Sequence, residues 1–392
     1  CVVAWYQARA QIRGETAIAQ RAAYEYDDGP AAEAAAEALA DGTDAVVGEL
    51  AKLHGTKTLV FAASYVQAVC GLVPSGEAGP DFGRLLAGAA RMLRATVACV
   101  PRWVLVDDGQ PLSDVSLLSE TRAHEDQDEA RATFGALLQF VLEFVSALGS
   151  AAVTTESVLD EYLHLVAAFF PFISALPEAA QPVLDLLFSM ATVRLSGSAS
   201  DAPLDAAVEG QGTFEIRRRA AHELTLLCLA AGEQLDGSLA RLRGEVARLR
   251  EAQAVLDFET PLLYEAILLL ADGLEPGARD ELVGGMLSEV MPAWTGTELG
   301  GAVASPQALA QALGLDDASK AHSGASLGFR NSIFHLVSVV NTVFSFSRGW
   351  RSEAVTSAIP VVLGPMLALL SSLHSLLAPS TAAALPDAFA DA

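Results

Sequence analysis

Residues that build disulfide frameworks, metal sites and nucleophilic centres are scarce in this sequence of 392 residues. The four cysteines, Cys1, Cys70, Cys99 and Cys228, form no CxxC pair, and the seven histidines are scattered along the chain. A structural zinc site needs closely spaced ligands, so we predict no metal site and no cofactor. Buried, reduced thiols are expected instead, as in a cytosolic or nuclear protein.

Catalytic motifs are lacking as well. The glycine-rich piece Gly296–Gly301 has neither the strand nor the lysine of a phosphate-binding loop, and there is no HExxH pair. His164 stands alone on a predicted helix. Glu120 and Glu125 fall in a predicted loop, where carboxylates are solvated or attract a basic partner. We therefore predict that the protein is not an enzyme and binds other molecules without transforming them.

Basic residues are outnumbered, since 24 lysines and arginines stand against 48 acidic residues and give a net charge of −24. Such a chain repels nucleic acid on average. Contact with RNA would therefore have to use local clusters of arginine. The acidity by itself is explained by the solubility of an otherwise apolar chain.

Helix-forming residues are abundant, because hydrophobic residues make up 52% of the chain and many of them are alanine and leucine. Helix-length apolar runs end at glycine or proline and are followed by a second run. Three such pairs are Ser157–Phe170 with Leu176–Val193, Phe214–Ala231 with Ser238–Arg250, and Phe258–Leu274 with Arg279–Trp294. The later two turns lie roughly forty residues apart, which is typical of HEAT-type repeats. We predict an all-α superhelix of HEAT-like or armadillo-type repeats.

Polar segments separate the apolar runs. Loops are predicted at Tyr26–Pro30, Asp107–Asp128 and Ser196–Gly212, and at Gly296–His322, which encloses a short helix at Pro306–Leu313. The alanine-rich stretch Ala31–Ala40 is predicted to be a helix.

Seven arginines form two clusters that are candidate binding sites for RNA or an acidic partner: Arg217, Arg218 and Arg219, then Arg241, Arg243, Arg248 and Arg250. Three adjacent arginines cannot all face a core, and the helix dipole disfavours cations at a helix N-terminus. The second cluster forms two ridges with a spacing of seven residues, on either side of the apolar stripe Leu239, Leu242, Val246 and Leu249. The alternative is a solvated face, paired partly with Glu245 and Glu251.

Two apolar runs near the end of the chain raise the alternative of a membrane protein with a C-terminal helical hairpin. Ser332–Phe346 is too short to span a bilayer, and Ala354–Leu377 contains Pro360, Pro365 and His374. The second run is equally compatible with a buried helix of a solenoid, so we expect no membrane insertion.

Five segments, in order, resemble the middle of the exportin-5 family, which is called HASTY in plants. They are Ala167–Val193 with its Phe-Pro-Phe turn, Glu215–Ala221 with its arginines, Leu263–Leu270, Leu282–Trp294 with its final Pro-Ala-Trp, and Gly328–Asn331 with Phe-Arg-Asn. The resemblance extends over about Phe134–Pro379, and the absence of an initial methionine before Cys1 suggests a fragment.

The resemblance implies a karyopherin of the importin-β superfamily that shuttles between nucleus and cytoplasm. Its implied partners are Ran-GTP, nuclear pore proteins, and double-stranded or hairpin RNA such as microRNA precursors. Ran-GTP is expected to bind mainly to repeats that this chain lacks. Proteins recognise duplex RNA through its phosphates and 2′-hydroxyls, which suits arginine. The alternative is a HEAT-repeat scaffold, or another importin-β-type karyopherin, with protein cargo.

The resemblance also gives an expected organisation of the chain. Its predicted segments are N-terminal helical repeats at 1–133, assigned by continuity alone, HEAT-like repeats of exportin-5 type at 134–295, a loop-rich insertion at 296–326, a C-terminal helical repeat at 327–380, and a tail at 381–392.

Overall fold

A computed structural model describes residues 58–62, 64, 80–99, 127–148, 156–194, 206–317, 320, 323–376 and 378. Every regular element within these ranges is a helix, and they contain no strand, so the predicted all-α class is confirmed. The chain divides into two compact units, Cys1–Ala179 and Ala180–Ala392. The predicted loop at Tyr26–Pro30 and the predicted helix at Ala31–Ala40 lie outside the described residues, as does nearly all of the predicted loop at Asp107–Asp128.

The first unit contains helices α1 (Pro80–Cys99), α2 (Gln127–Leu148) and α3 (Glu156–Ala168), with α1 packed along α3. Phe134 of α2 packs against Phe172, with ring centroids 4.9 Å apart. The buried Tyr162 of α3 donates a hydrogen bond of 2.8 Å to the Val141 carbonyl oxygen, which joins α3 to α2.

A tight turn follows α3. The predicted helix Ser157–Phe170 ends two residues early, at Ala168, and the chain continues as a 3₁₀ segment over Phe170–Ala175. Pro171 lacks the amide hydrogen that a continuing α-helix requires, so the tighter turn takes over. Helix α4 (Pro177–Ala191) then begins on a proline, where no amide hydrogen is needed.

The second unit continues with stacked helical hairpins. Its helices are α5 (Ala206–Ala231), α6 (Leu239–Glu251), α7 (Thr260–Leu270), α8 (Pro276–Trp294), α9 (Thr297–Ala302), α10 (Pro306–Ala312), α11 (Gly324–Phe346) and α12 (Glu353–Leu376). Helix α7 packs against α5, α6 and α11, and α8 packs against α11 and α12. Each hairpin therefore buries its apolar faces against its neighbours, as in helical-repeat proteins.

Most predicted helices of this unit are confirmed with shifted ends. The apolar stripe of α6, Leu239, Leu242, Val246 and Leu249, is buried along its whole length. The short helix predicted at Pro306–Leu313 is present as α10. Helix α5 begins at Ala206, so the end of the predicted loop Ser196–Gly212 is helical.

Helix α12 is buried along one side only. Asp280 of α8 caps its first turn, because its carboxylate accepts hydrogen bonds from the Ser352 hydroxyl at 2.5 Å and the Ala354 amide at 3.1 Å. Its opposite side exposes a row of apolar side chains: Ile359, Leu363, Leu367, Leu370 and Leu373. Among the described residues it is the one helix with the length and composition of a membrane span, which by itself is weak support for insertion.

Candidate functional site

Arg217, one of the seven predicted site residues, lies in the core rather than on a surface. Its guanidinium binds the Glu259 carboxylate at two points, with Nε–Oε1 at 2.6 Å and Nη2–Oε2 at 2.7 Å. It also donates to the carbonyl oxygens of Ala254 at 3.1 Å and Val193 at 3.3 Å. Because this side chain is completely buried and each of its three nitrogens is hydrogen-bonded within the protein, Arg217 is not available to RNA.

The sequence did carry a signal for this burial. Residues three, four and seven positions after Arg217 on the helix are Ala220, Ala221 and Leu224, and all three are buried. An arginine on the apolar side of a helix needs an internal counter-charge. Glu259, at the start of the next hairpin, supplies that charge and also accepts a hydrogen bond of 2.9 Å from the Leu256 amide.

The other two arginines of the first cluster lie nearer to solvent. Arg218 is exposed and donates to Glu215, one turn earlier on α5, at 2.5 Å. Arg219 is half-buried and has an interaction within the protein. The first cluster therefore divides between core and surface, and only Arg218 faces fully outward.

The ridge of Arg241 and Arg248 lies on the side of α6 that faces α4. The exposed Arg241 donates to Asp185 of α4. Arg248 donates to Glu245 on its own helix at 3.0 Å. Both are exposed ion pairs, which contribute only about 0–1 kcal/mol each and exchange readily with another anion.

The ridge of Arg243 and Arg250 lies on the side of α6 that faces α7 and α8. Arg250 donates to the Tyr264 hydroxyl at 2.6 Å and to Glu289, and the same hydroxyl donates to Glu289 at 2.7 Å. Burial, followed by this bond to Glu289, raises the pKa of Tyr264 above its usual value. Arg250 is therefore committed to a three-residue network inside the protein.

Arg243 differs from the other arginines of α6. It is exposed, and within the part of the chain that the structure describes it makes no hydrogen bond and no ion pair. Because its guanidinium has no partner to lose, Arg243 can donate hydrogen bonds directly to a carboxylate or a phosphate of a ligand.

A groove of about 440 Å³ lies beside Arg243, between α6 and α8 and above α7. We call it the α6–α8 groove. It is lined by Ala240, Arg243, Gly244, Val246, Ala247, Arg250, Tyr264, Ile267, Leu282, Gly285, Met286 and Glu289. Its base is apolar, and its polar groups are Arg243 and the network of Arg250, Tyr264 and Glu289.

Residues 119–392 match the family model described as "Exportin-5 family". The chain belongs to the exportin-5 family. The match confirms the resemblance and extends beyond it at both ends, to residues 119 and 392. Comparison with curated proteins gives no match.

Membership of the exportin-5 family fixes the general class of function. The family consists of karyopherin-type nuclear export receptors, which are transport proteins and not enzymes, and which move between nucleus and cytoplasm. The match includes all seven candidate arginines, but it gives no role to any of them.

Cys228 is a free, buried thiol, as expected, and burial raises its pKa to about 12. The side chains of the other three cysteines lie outside the described residues. No group of three histidine, cysteine, aspartate or glutamate residues within the described ranges is arranged to hold a metal ion.

Proposed function

We propose that this chain is part of a receptor that exports structured RNA, such as hairpin microRNA precursors, from the nucleus with Ran-GTP. The observation that supports this proposal is the family match over residues 119–392. Nuclear pore proteins are the partners that such a receptor needs during passage. We expect most of the contacts to Ran to come from repeats of the family other than those in this chain.

The exposed arginines of α5 and α6 are the proposed RNA contacts. Arg218, Arg241 and Arg248 each pair with a carboxylate on the surface, and Arg243 has no partner within the described residues. A phosphate can replace a surface carboxylate at little cost, because the exposed pair is itself weak. Arg217 is excluded from this set by its burial, and Arg250 by its internal network.

Binding of a labelled hairpin RNA at increasing salt concentration tests these contacts. The triple variant Arg241→Ala/Arg243→Ala/Arg248→Ala should bind more weakly, and its salt slope should fall by roughly one for each phosphate that the protein no longer neutralises. The control is the double variant Arg348→Ala/Arg351→Ala, which removes two exposed arginines between α11 and α12. Equal slopes for the two variants would contradict the proposal.

The role of Ran is tested with the longest natural form of the protein. Its affinity for hairpin RNA should rise when Ran in its GTP state is added, because an export receptor couples cargo binding to Ran. RNA binding that is unchanged by Ran would contradict an export receptor for RNA.

A protein-binding scaffold is the second candidate function, and the α6–α8 groove supports it. The salt dependence of RNA binding separates the two candidates. A scaffold for proteins shows no salt-sensitive binding of duplex RNA, whereas an RNA exporter does.

A further inference from the structure

The α6–α8 groove is kept open by residues with small side chains or none. Ala240, Gly244 and Ala247 lie along its α6 wall, and Gly285 lies on its α8 wall. A Cβ atom built on Gly244 or Gly285 would meet no atom within 4 Å. Larger side chains at these two positions would fill the groove without disturbing the packing beneath it.

The groove combines one free positive charge with an apolar base. Arg243 stands on its wall without a partner in the described residues, while the charge of Arg250 is balanced by Glu289 at the other end. The base is formed by Val246, Ile267 and Leu282 among others. In a chain with a net charge of −24, this is a local site that favours a single negative charge beside an apolar group.

We propose that the α6–α8 groove binds a short peptide segment of a partner protein, in which a bulky apolar side chain lies next to an aspartate or glutamate. The apolar side chain occupies the space between Gly244 and Gly285, and the neighbouring carboxylate pairs with Arg243. The volume of about 440 Å³ lies within the roughly 300–1,000 Å³ of small-molecule sites and accommodates one or two such side chains.

A peptide fits this groove better than a nucleic-acid backbone does. The lining offers one unpaired cation, whereas a duplex requires several contacts along its line of phosphates. The proposal is independent of RNA export, since it concerns another ligand.

Fluorescence anisotropy with the 392-residue chain and labelled octapeptides tests the proposal. The probes are octapeptides of alternating leucine and aspartate, leucine and asparagine, and leucine and lysine. The leucine–aspartate peptide should bind about tenfold more tightly than the asparagine peptide, as expected for one charge-assisted contact. Arg243→Ala should remove this preference, and Arg243→Glu should transfer it to the lysine peptide.

Filling the groove tests the location of the site. Gly244→Leu and Gly285→Leu should each abolish binding of the leucine–aspartate peptide. Gly301→Leu is the matched control, because Gly301 is also an exposed helical glycine with no atom within 4 Å of its Cβ position. Circular dichroism should show that all three variants remain helical, so that any loss of binding is not a loss of folding.

Three results would overturn the proposal: no binding of the leucine–aspartate peptide at 1 mM, equal binding of the aspartate and asparagine peptides, or unchanged binding by both groove-filling variants. None of them bears on RNA export, whose test uses hairpin RNA and replaces Arg241 and Arg248 together with Arg243. The two proposals therefore fail separately.

Discussion

The Arg217 guanidinium and the Glu259 carboxylate form a two-point ion pair in the interior of the second unit, with both donor–acceptor distances below 2.8 Å. The pair joins α5 to the start of α7, which belongs to the following hairpin. Its remaining bonds go to the carbonyl oxygens of Ala254 and Val193. One side chain thus connects three consecutive parts of the repeat array.

Removal of one partner of this pair should be strongly destabilising. Arg217→Ala leaves Glu259 as a buried, uncompensated charge, and we expect the free energy of unfolding to fall by about 3–5 kcal/mol. Urea denaturation followed by circular dichroism measures the loss. Arg218→Ala breaks only the exposed pair with Glu215 and should change stability by less than about 1 kcal/mol.

The double variant Arg217→Met/Glu259→Leu separates charge from packing. It removes both charges, so it should be more stable than Arg217→Ala, although the carbonyl oxygens of Ala254 and Val193 lose their donor. A double variant as unstable as Arg217→Ala would show that the uncompensated charge of Glu259 is not the cause of the loss.

Arg217 also shows where prediction from sequence stops. The stripe of Leu239, Leu242, Val246 and Leu249 is predictable, because apolar periodicity reports which side of a helix faces the core. A buried arginine depends on a counter-charge 42 residues away, and local periodicity carries no information about that distance. The apolar residues around Arg217 therefore indicate its burial, but sequence alone does not identify Glu259 as its partner.

The α6–α8 groove escapes prediction for a related reason. The spacing of Arg241, Arg243, Arg248 and Arg250 correctly predicts two ridges on either side of the apolar stripe. The partners of the two ridges lie on other helices and cannot be read from this spacing: Asp185 pairs with Arg241, and Glu289 pairs with Arg250. The space itself is left by Gly244 and Gly285, which belong to different helices and line the same groove only in the folded protein.

Asp280 should make the attachment of α12 dependent on pH. Its hydrogen bond from Ser352, with others from the backbone of Ala354 and Glu353, holds its pKa below the usual value. A lowered pKa means that the charged form stabilises the fold above about pH 4, and that this contribution is lost as the pH falls through the folded-state pKa.

The Asp280→Asn variant measures this contribution. Its melting temperature should be lower than that of the wild type at pH 7, and the difference should be smaller at pH 2, where more of the wild-type carboxylate is protonated. Hydrogen exchange in the first turn of α12 should follow the same trend. Glu281→Gln, at an exposed neighbouring position, is the control and should show no comparable change between the two pH values.

Leu369 and Leu370 are adjacent on α12 but face opposite environments. Leu369 is 4% exposed and belongs to a core cluster with Phe329 and Leu309, whereas Leu370 is 55% exposed. Leu369→Ala should cost about 2–5 kcal/mol, and Leu370→Ala less than about 0.5 kcal/mol. Urea denaturation checks both, and equal losses would show that α12 is rotated from the orientation described.

Gly314 ends helix α10 in a conformation that favours glycine. Its φ is +71°, and the Leu315 amide behind it donates to the Ala310 carbonyl oxygen at 2.8 Å, which closes the helix end. A Cβ atom here would lie 2.9 Å from the Lys320 carbonyl oxygen and would collide with the Ser326 side chain. Neither neighbour can move without shifting backbone.

Gly314→Ala should therefore destabilise the protein by about 1–3 kcal/mol, because it combines a disfavoured φ with a steric clash. Gly300→Ala, in the short helix α9 with open space around its Cβ position, provides the contrast. There the same added methyl group should stabilise the protein by roughly 0.5–1 kcal/mol, since alanine is the better helix former. Denaturation midpoints that shift in the same direction for both variants would contradict the assigned backbone conformation at Gly314.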